Sequence, residues 1–206
     1  MKALTIRQPH ATLIALGVKH IETRSSPTTY RGPLAIHAGK APLPLGGISI
    51  GGWLAFNSIT DPAYQGPRVV NPVTRRTSHV PSRAQTPTLL WPRQGPHARL
   101  REDNPEWSYR EYLPLGAIVA TCKLVDCVPI TDRRHMPDRG AQLTINPATG
   151  TLYLLGSALS GDMTNVSNQL PYGDFTPGRW AWLLADIVPC DPIPAKGAQG
   201  LWTWQP

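Results

Sequence analysis

Lys19, Glu22 and Arg24 bring two cations and one carboxylate into the eight-residue stretch Gly17-Val18-Lys19-His20-Ile21-Glu22-Thr23-Arg24, directly after an apolar run. Such a triplet can clamp an anion, orient the polar edge of a base or move a proton. A lysine works as a general base only when burial or nearby cations push its pKa down, whereas a neighbouring carboxylate favours the ammonium. Glu22 therefore argues for a charged Lys19, a phosphate or carbonyl contact rather than a base, and Arg24 pulls the other way. The same residues also compose an ordinary surface ion pair on a half-exposed strand.

A second candidate is Tyr172-Gly173-Asp174-Phe175-Thr176-Pro177-Gly178-Arg179-Trp180, a turn-rich loop entering a strongly apolar strand. Tyr172 or Trp180 can stack a base, and Asp174 and Arg179 add a carboxylate and a phosphate donor; alternatively the loop is a tight turn whose aromatics belong to the core. The stretch Pro194-Ala195-Lys196-Gly197-Ala198-Gln199-Gly200 is basic and glycine-containing, but lacks the GxxxxGK[ST] order of a nucleotide phosphate loop. Zinc-protease, deaminase, nucleophile-elbow and dinucleotide-fold spacings are absent from the sequence. Cys122, Cys127 and Cys190 are odd in number and show no metal-ligand spacing, so neither a disulfide framework nor a zinc site is expected, and the thiols are expected to be buried and free. No cofactor is expected.

The elements around these residues follow from local pattern. Ala3-Leu4-Thr5-Ile6 reads as a strand. Gln8-Pro9 starts a helix over Ala11 to Leu16, with Pro9 near its first position and Gly17 at a left-handed C-terminal cap. A strand from His20 to Arg24 sets His20, Glu22 and Arg24 on one face, which makes Glu22 and Arg24 neighbours. After a turn at 25–29, Gly32 to Ala38 is a further strand. Gly116 to Val128 is β-branched and long enough for a bent or bulged strand, followed by a polar loop from Thr131 to Gly140. Thr151 to Leu155, Arg179 to Val188 and Leu201 to Trp204 complete a β-rich α+β domain.

Residues 41–113 break this pattern. Proline and glycine recur, and the part from Pro62 to Arg101 holds seven prolines and seven arginines (Arg68, Arg75, Arg76, Arg83, Arg93, Arg99, Arg101) with no Asp or Glu. That stretch alone equals the formal charge of +7 on the whole chain. It reads as an irregular insertion in one domain of 206 residues, anchored through Tyr64, Leu89, Leu90 and Trp91, with a short helix over Asn104 to Tyr112. A chain 41% hydrophobic can bury a core. So basic a surface segment either grips a polyanion, releasing its counterions, or is simply solvated. No run approaches the ~18 apolar residues of a membrane helix, and the N-terminus shows no signal-peptide pattern, so a cytoplasmic protein is expected.

Three stretches taken in order, Ile6-Arg7-Gln8-Pro9-His10-Ala11, Gly17 to Ser25 and Tyr30-Arg31-Gly32-Pro33-Leu34-Ala35-Ile36-His37-Ala38, resemble the N-terminal half of an ASCH domain of the PUA-like superfamily. The segment from Gly173-Asp174 to Leu201-Trp202 is similar to the C-terminal half of bacterial and phage members. The resemblance implies a small β-barrel with flanking helices and a ligand cleft. It implies association with RNA and other nucleic acids, and the ligand, RNA, other single-stranded nucleic acid or a modified nucleoside, is expected to be held by Gln8, His10, Lys19, Glu22, Arg24, Ser25, Tyr30, Arg31, Tyr172, Asp174, Arg179, Trp180 and Lys196. Some relatives are hydrolases, one branch removing the acetyl group of N4-acetylcytidine with a Lys, a Thr and a Glu, another described as ribonucleases. Lys19 matches that lysine, whereas Glu22 stands at the threonine position, so Lys19 and Glu22 are the catalytic candidates if the chain is an enzyme. A protein-interaction module that docks an acidic partner on the Arg/Pro segment is the third alternative. Many relatives carry tryptophan where this chain has His10 and Ser26.

Overall fold

The computed structural model describes residues 1–41, 113–132, 140–146, 148–157 and 163–205, with the backbone of two further short strands. In chain order the elements are β1 (Lys2–Ile6), α1 (His10–Ala15), β2 (Ile21–Arg24), β3 (Gly32–Ala38), β4 (Arg68–Val70), β5 (Thr77–His79), β6 (Ala117–Asp132), β7 (Gln142–Asn146), β8 (Thr151–Leu155), β9 (Thr164–Asn165), a 3-10 helix (Ser167–Tyr172), β10 (Trp180–Pro194) and β11 (Leu201–Thr203). β4 and β5 pair with each other antiparallel. The anchors Tyr64, Leu89, Leu90 and Trp91 and the helix expected over Asn104 to Tyr112 lie outside the described residues.

The other nine strands form one mixed sheet in the order β11-β1-β3-β6-β7-β8-β9, with β10 lying along β6 and β2 along β10. β1 runs parallel to β3 and antiparallel to β11, which brings the two ends of the chain together: the N-terminal ammonium donates to the Trp204 carbonyl at 2.8 Å. The long strands β6 and β10 pair antiparallel with register shifts at Leu183/Leu184, Ala185/Val188 and Pro189/Ile193, and Asp186 takes a φ of 51° within one of them. Such bulges bend a strand and increase its twist, so one long ribbon can serve both parts of a β-rich, barrel-like α+β fold.

Alternation along β10 shows where the core sits. Trp182 and Leu184 pack into a cluster with Leu4, Ile14, Leu34, Ile36 and Val119, whereas Ala181 and Leu183 face a second cluster with Ile21, Ile130, Leu143, Leu152 and Leu154. A strand buried on both faces reads as a continuous apolar run, as Trp180 to Ala185 does. β2 hydrogen-bonds to this stretch, Glu22 opposite Trp182 and Arg24 opposite Trp180. The polar residues of β2 are thereby fixed against the rigid centre of the molecule.

Cys122 is buried, but Cys127 and Cys190 are only half-buried, which corrects the expectation of three buried thiols; all three are free. Burial pushes the Cys122 thiol up to about 12. No helix among the described residues is long and apolar enough to cross a membrane.

Candidate functional site

The site begins at the ends of α1. Pro9 is the N-cap residue and offers no side-chain acceptor. Gln8 supplies it from one residue earlier, its Oε1 accepting the Thr12 N–H at 3.1 Å while Nε2 donates to the Pro114 carbonyl at 2.8 Å. At the other end Gly17 has a φ of +69°, and the amides of Gly17 and Val18 donate to the carbonyls of Ile14 and Leu13 at 2.8 and 3.0 Å. This paired closure of orphan carbonyls needs a left-handed residue after the cap, where glycine has no Cβ to clash. It turns the chain so that Lys19 enters the interior.

Lys19 is 1% exposed. Its Nζ donates to the carbonyls of Ile21 at 2.7 Å and Tyr172 at 2.6 Å and lies 3.2 Å from Glu22 Oε2. Three acceptors thus meet the three N–H donors of an ammonium. Burial lowers the Lys19 pKa, and the Glu22 carboxylate opposes that shift. The Tyr172 carbonyl is brought into place by the 3-10 helix, which docks through buried Gln169: its Oε1 accepts the His20 N–H at 2.7 Å and its Nε2 donates to the Val18 carbonyl at 3.1 Å.

Beyond Lys19 the charges continue outward. Arg24 Nη1 stands 3.7 Å from Glu22 Oε1, and its guanidinium lies over the Trp182 ring at 5.9 Å. Arg179 Nε is 3.4 Å from Asp174 Oδ2, and Arg179 Nη2 donates to the Thr23 carbonyl at 3.4 Å. Asp174 accepts the Thr176 hydroxyl at 2.6 Å, and this bond, with Arg179 nearby, lowers its pKa against a smaller effect of burial. His10 is held down to about 3 by burial first and by Lys19 second, so it is a neutral imidazole at physiological pH.

These groups line one cavity of about 750 Å³. The turn after β1 contributes Arg7, α1 His10, β2 Glu22 and Arg24, the loop after the 3-10 helix Asp174 and Arg179, and the loop before β11 Ala198, Gln199 and Gly200. Four cations (Arg7, Lys19, Arg24, Arg179) face two carboxylates (Glu22, Asp174), so the cavity is net positive. Of the residues singled out in the sequence, His10, Lys19, Glu22, Arg24, Tyr172, Asp174 and Arg179 are brought together here.

The others are not. Gln8 is buried as the helix cap, Ser25 is exposed beside the cavity, and Tyr30 packs against the core. Arg31 pairs with Asp126 at 2.9 Å, Trp180 lines a separate groove with Pro129 and Pro177, and Lys196 is exposed on the loop that leads to Gln199. Sequence reasoning passed over Arg7, Thr23, Ser26 and Gln199, all of which line the cavity. Arg7 had a visible signal, a lone arginine between the β1 strand and Gln-Pro. Gln199 had none, since only the fold carries the loop before β11 to this wall. His10 and Ser26, where the chain departs from the pattern it resembles, also line it.

The profile of the ASCH domain matches residues 4–153. The chain belongs to the ASCH domain family. It is accordingly a member of the PUA-like superfamily, and its β-rich sheet is the architecture expected of one. The matched residues contain the inner part of the site, from Arg7 to Ser26. The facing wall, from Pro171 to Arg179 and at Gln199, lies beyond the match. No curated protein matches the chain.

Proposed function

We propose that this ASCH domain binds RNA or a related nucleotide ligand in the cavity between β2 and the Tyr172–Arg179 loop. The observation that carries the reading is the convergence of Arg7, Arg24 and Arg179 with Glu22 on one concave surface. Arginines present planar, always-charged donors suited to phosphate, and a carboxylate beside them is suited to the N–H groups of a base. Family membership supports nucleic acid as the ligand class. In this reading Lys19 acts from beneath: it holds the Tyr172 carbonyl and Glu22 in place, while the arginines and Glu22 meet the ligand. The engagement of three acceptors around Lys19 Nζ supports a charged strut over a general base, and so favours recognition over the Lys19-dependent hydrolase.

Residues 41–113 are read as an insertion that adds backbone contacts. The strands that flank it support this, because β3 and β6 pair directly up to Ala38 and Ala117, so the sheet is continuous without the intervening chain. Three free cysteines support a reducing, cytoplasmic location.

Fluorescence anisotropy of a labelled single-stranded RNA, titrated at several salt concentrations, tests the proposal. Wild type binds with an affinity that falls steeply with salt, and Arg7→Ala weakens binding and reduces the log–log slope by about one. The Arg7 side chain is exposed and, among the described residues, only its backbone carbonyl is engaged, accepting the Ala11 N–H at 3.3 Å, a bond that alanine keeps. RNA binding that is insensitive to Arg7→Ala and Arg24→Ala alike refutes the cavity as the site. Incubation with N4-acetylcytidine, wild type beside Lys19→Ala, decides the enzymatic alternative: turnover lost in the variant would overturn the strut assignment.

A further inference from the structure

Glu22 is one of two carboxylates in a cavity that four cations make net positive. Its side chain keeps 11% of its surface accessible, and its two oxygens are held apart in role. Oε2 takes the Lys19 ammonium at 3.2 Å, whereas Oε1 has its nearest cation, Arg24 Nη1, at 3.7 Å, beyond hydrogen-bond length. Asp174, the other carboxylate, is already occupied by the Thr176 hydroxyl and by Arg179. A carboxylate is an acceptor only, with about four lone-pair sites on its two oxygens, so Lys19 fixes Glu22 without saturating it.

The chemistry of the bases then discriminates. Guanine alone presents two adjacent donors on its Watson–Crick edge, the ring N1–H and the exocyclic N2–H, matching the two oxygens of one carboxylate. Adenine and cytosine each offer one amino donor beside a ring nitrogen acceptor, which a carboxylate repels. Uracil offers one N–H between two carbonyls. A volume of about 750 Å³ lies within the roughly 300–1,000 Å³ of small-ligand sites, and exposed Arg7 on the same surface provides for a phosphate.

We propose that Glu22 is the base-reading residue of this cavity and selects a guanine nucleotide, single or unpaired within RNA. The inference rests on the nucleotide-binding reading above and adds base identity to it. Lys19 is its positioning residue, and Arg24, stacked over Trp182, keeps the neighbouring positive charge from closing onto Oε1.

Calorimetric titration of the full chain with GMP, IMP, AMP, CMP and UMP, beside a labelled mixed-sequence RNA, tests it. GMP binds about tenfold or more tightly than AMP, CMP and UMP, the scale of one bidentate base contact. IMP, which keeps N1–H and lacks the 2-amino group, falls between. Glu22→Gln retains an oxygen for Lys19 and removes the charge and one acceptor, so it abolishes the GMP preference. Equal affinity for all five nucleotides, or a preference that survives Glu22→Gln, overturns the base-reading assignment while leaving nucleotide binding in place. Absence of binding to both RNA and nucleotides overturns the parent reading as well. The comparison of IMP with GMP alters only the ligand, and equal affinities there contradict the bidentate contact even if the variant misfolds.

Discussion

Replacing Lys19 by methionine keeps the apolar stem and removes the ammonium. Three acceptors lose their donor: the carbonyls of Ile21 and Tyr172 and the carboxylate of Glu22. Removing one member of a buried ion pair costs roughly 3–5 kcal/mol, because the partner is left charged without compensation. Two features of the structure place the expectation at the low end. Glu22 retains Arg24 at 3.7 Å and some access to the cavity, and methionine escapes the desolvation that lowers the Lys19 pKa. The expected loss is about 3 kcal/mol, which for a chain of this size is a fall of about 6–12 °C in Tm. Urea denaturation at pH 7 measures it, with an unchanged m-value showing that the folded and unfolded ensembles are otherwise alike. The double variant Lys19→Met/Glu22→Gln recovers about 1–2 kcal/mol, since the stranded charge is gone but the two carbonyls stay unpaired. A loss below about 1 kcal/mol for Lys19→Met, with no recovery in the double variant, refutes the strut and returns Lys19 to the role of a ligand contact.

Acid should unfold the protein through its histidines. The folded-state pKa of His20 is lowered from 6.5 to about 4 and that of His10 to about 3, both mainly by burial. Between those values and 6.5 the unfolded chain binds more protons, so stability present at neutral pH is lost as pH falls, and the His20 depression alone amounts to roughly 3 kcal/mol. NMR titration of the imidazole signals checks this; a His20 that titrates near 6.5 in the folded protein contradicts it. Gly197→Ala places a Cβ 2.6 Å from His37 Nδ1 and 3.0 Å from Thr5 Oγ1, and His37 is buried with its ring edge-on to Trp202. The loop carrying Gln199 must shift, so ligand affinity falls and stability drops by about 1–3 kcal/mol, and unchanged values for both contradict the fit. Gln169→Ala strands the His20 N–H and the Val18 carbonyl, at a cost of about 2–3 kcal/mol in thermal or urea unfolding; a cost near zero shows that the 3-10 helix is held by other contacts.

Legibility varied with how local each signal was. The helix cap at Gly17 and the strand Gly32–Ala38 depend on neighbours in sequence, and the chain shows both as expected. Glu22 and Arg24 on one strand face were likewise readable, since β2 alternates and the two side chains stand 3.7 Å apart. Strand β7 was missed because Gln142-Leu143-Thr144-Ile145-Asn146 is short and polar at every second position; Gln142 and Thr144 are buried even so. β10 runs on to Pro194, beyond the expected end near Val188, because bulges let it follow the long β6. Pro9 sits at the N-cap rather than inside the helix, and Gln8, expected at the ligand, caps that helix instead. Which polar residues share the cavity could not be read from spacing, because Arg7, Glu22, Arg179 and Gln199 come from four separated segments joined only through β1, β2, β10 and β11.

Photocrosslinking tests the central claim most directly. A single-stranded RNA carrying a photoreactive base at one internal position is bound to the full chain, irradiated, and mapped by mass spectrometry of the peptides. Crosslinks are expected in the peptides containing His10, Glu22 to Ser26 and Tyr172 to Arg179, lost when excess free nucleotide fills the cavity. Crosslinks confined to the arginine-rich segment from Pro62 to Arg101, unaffected by free nucleotide, would contradict it.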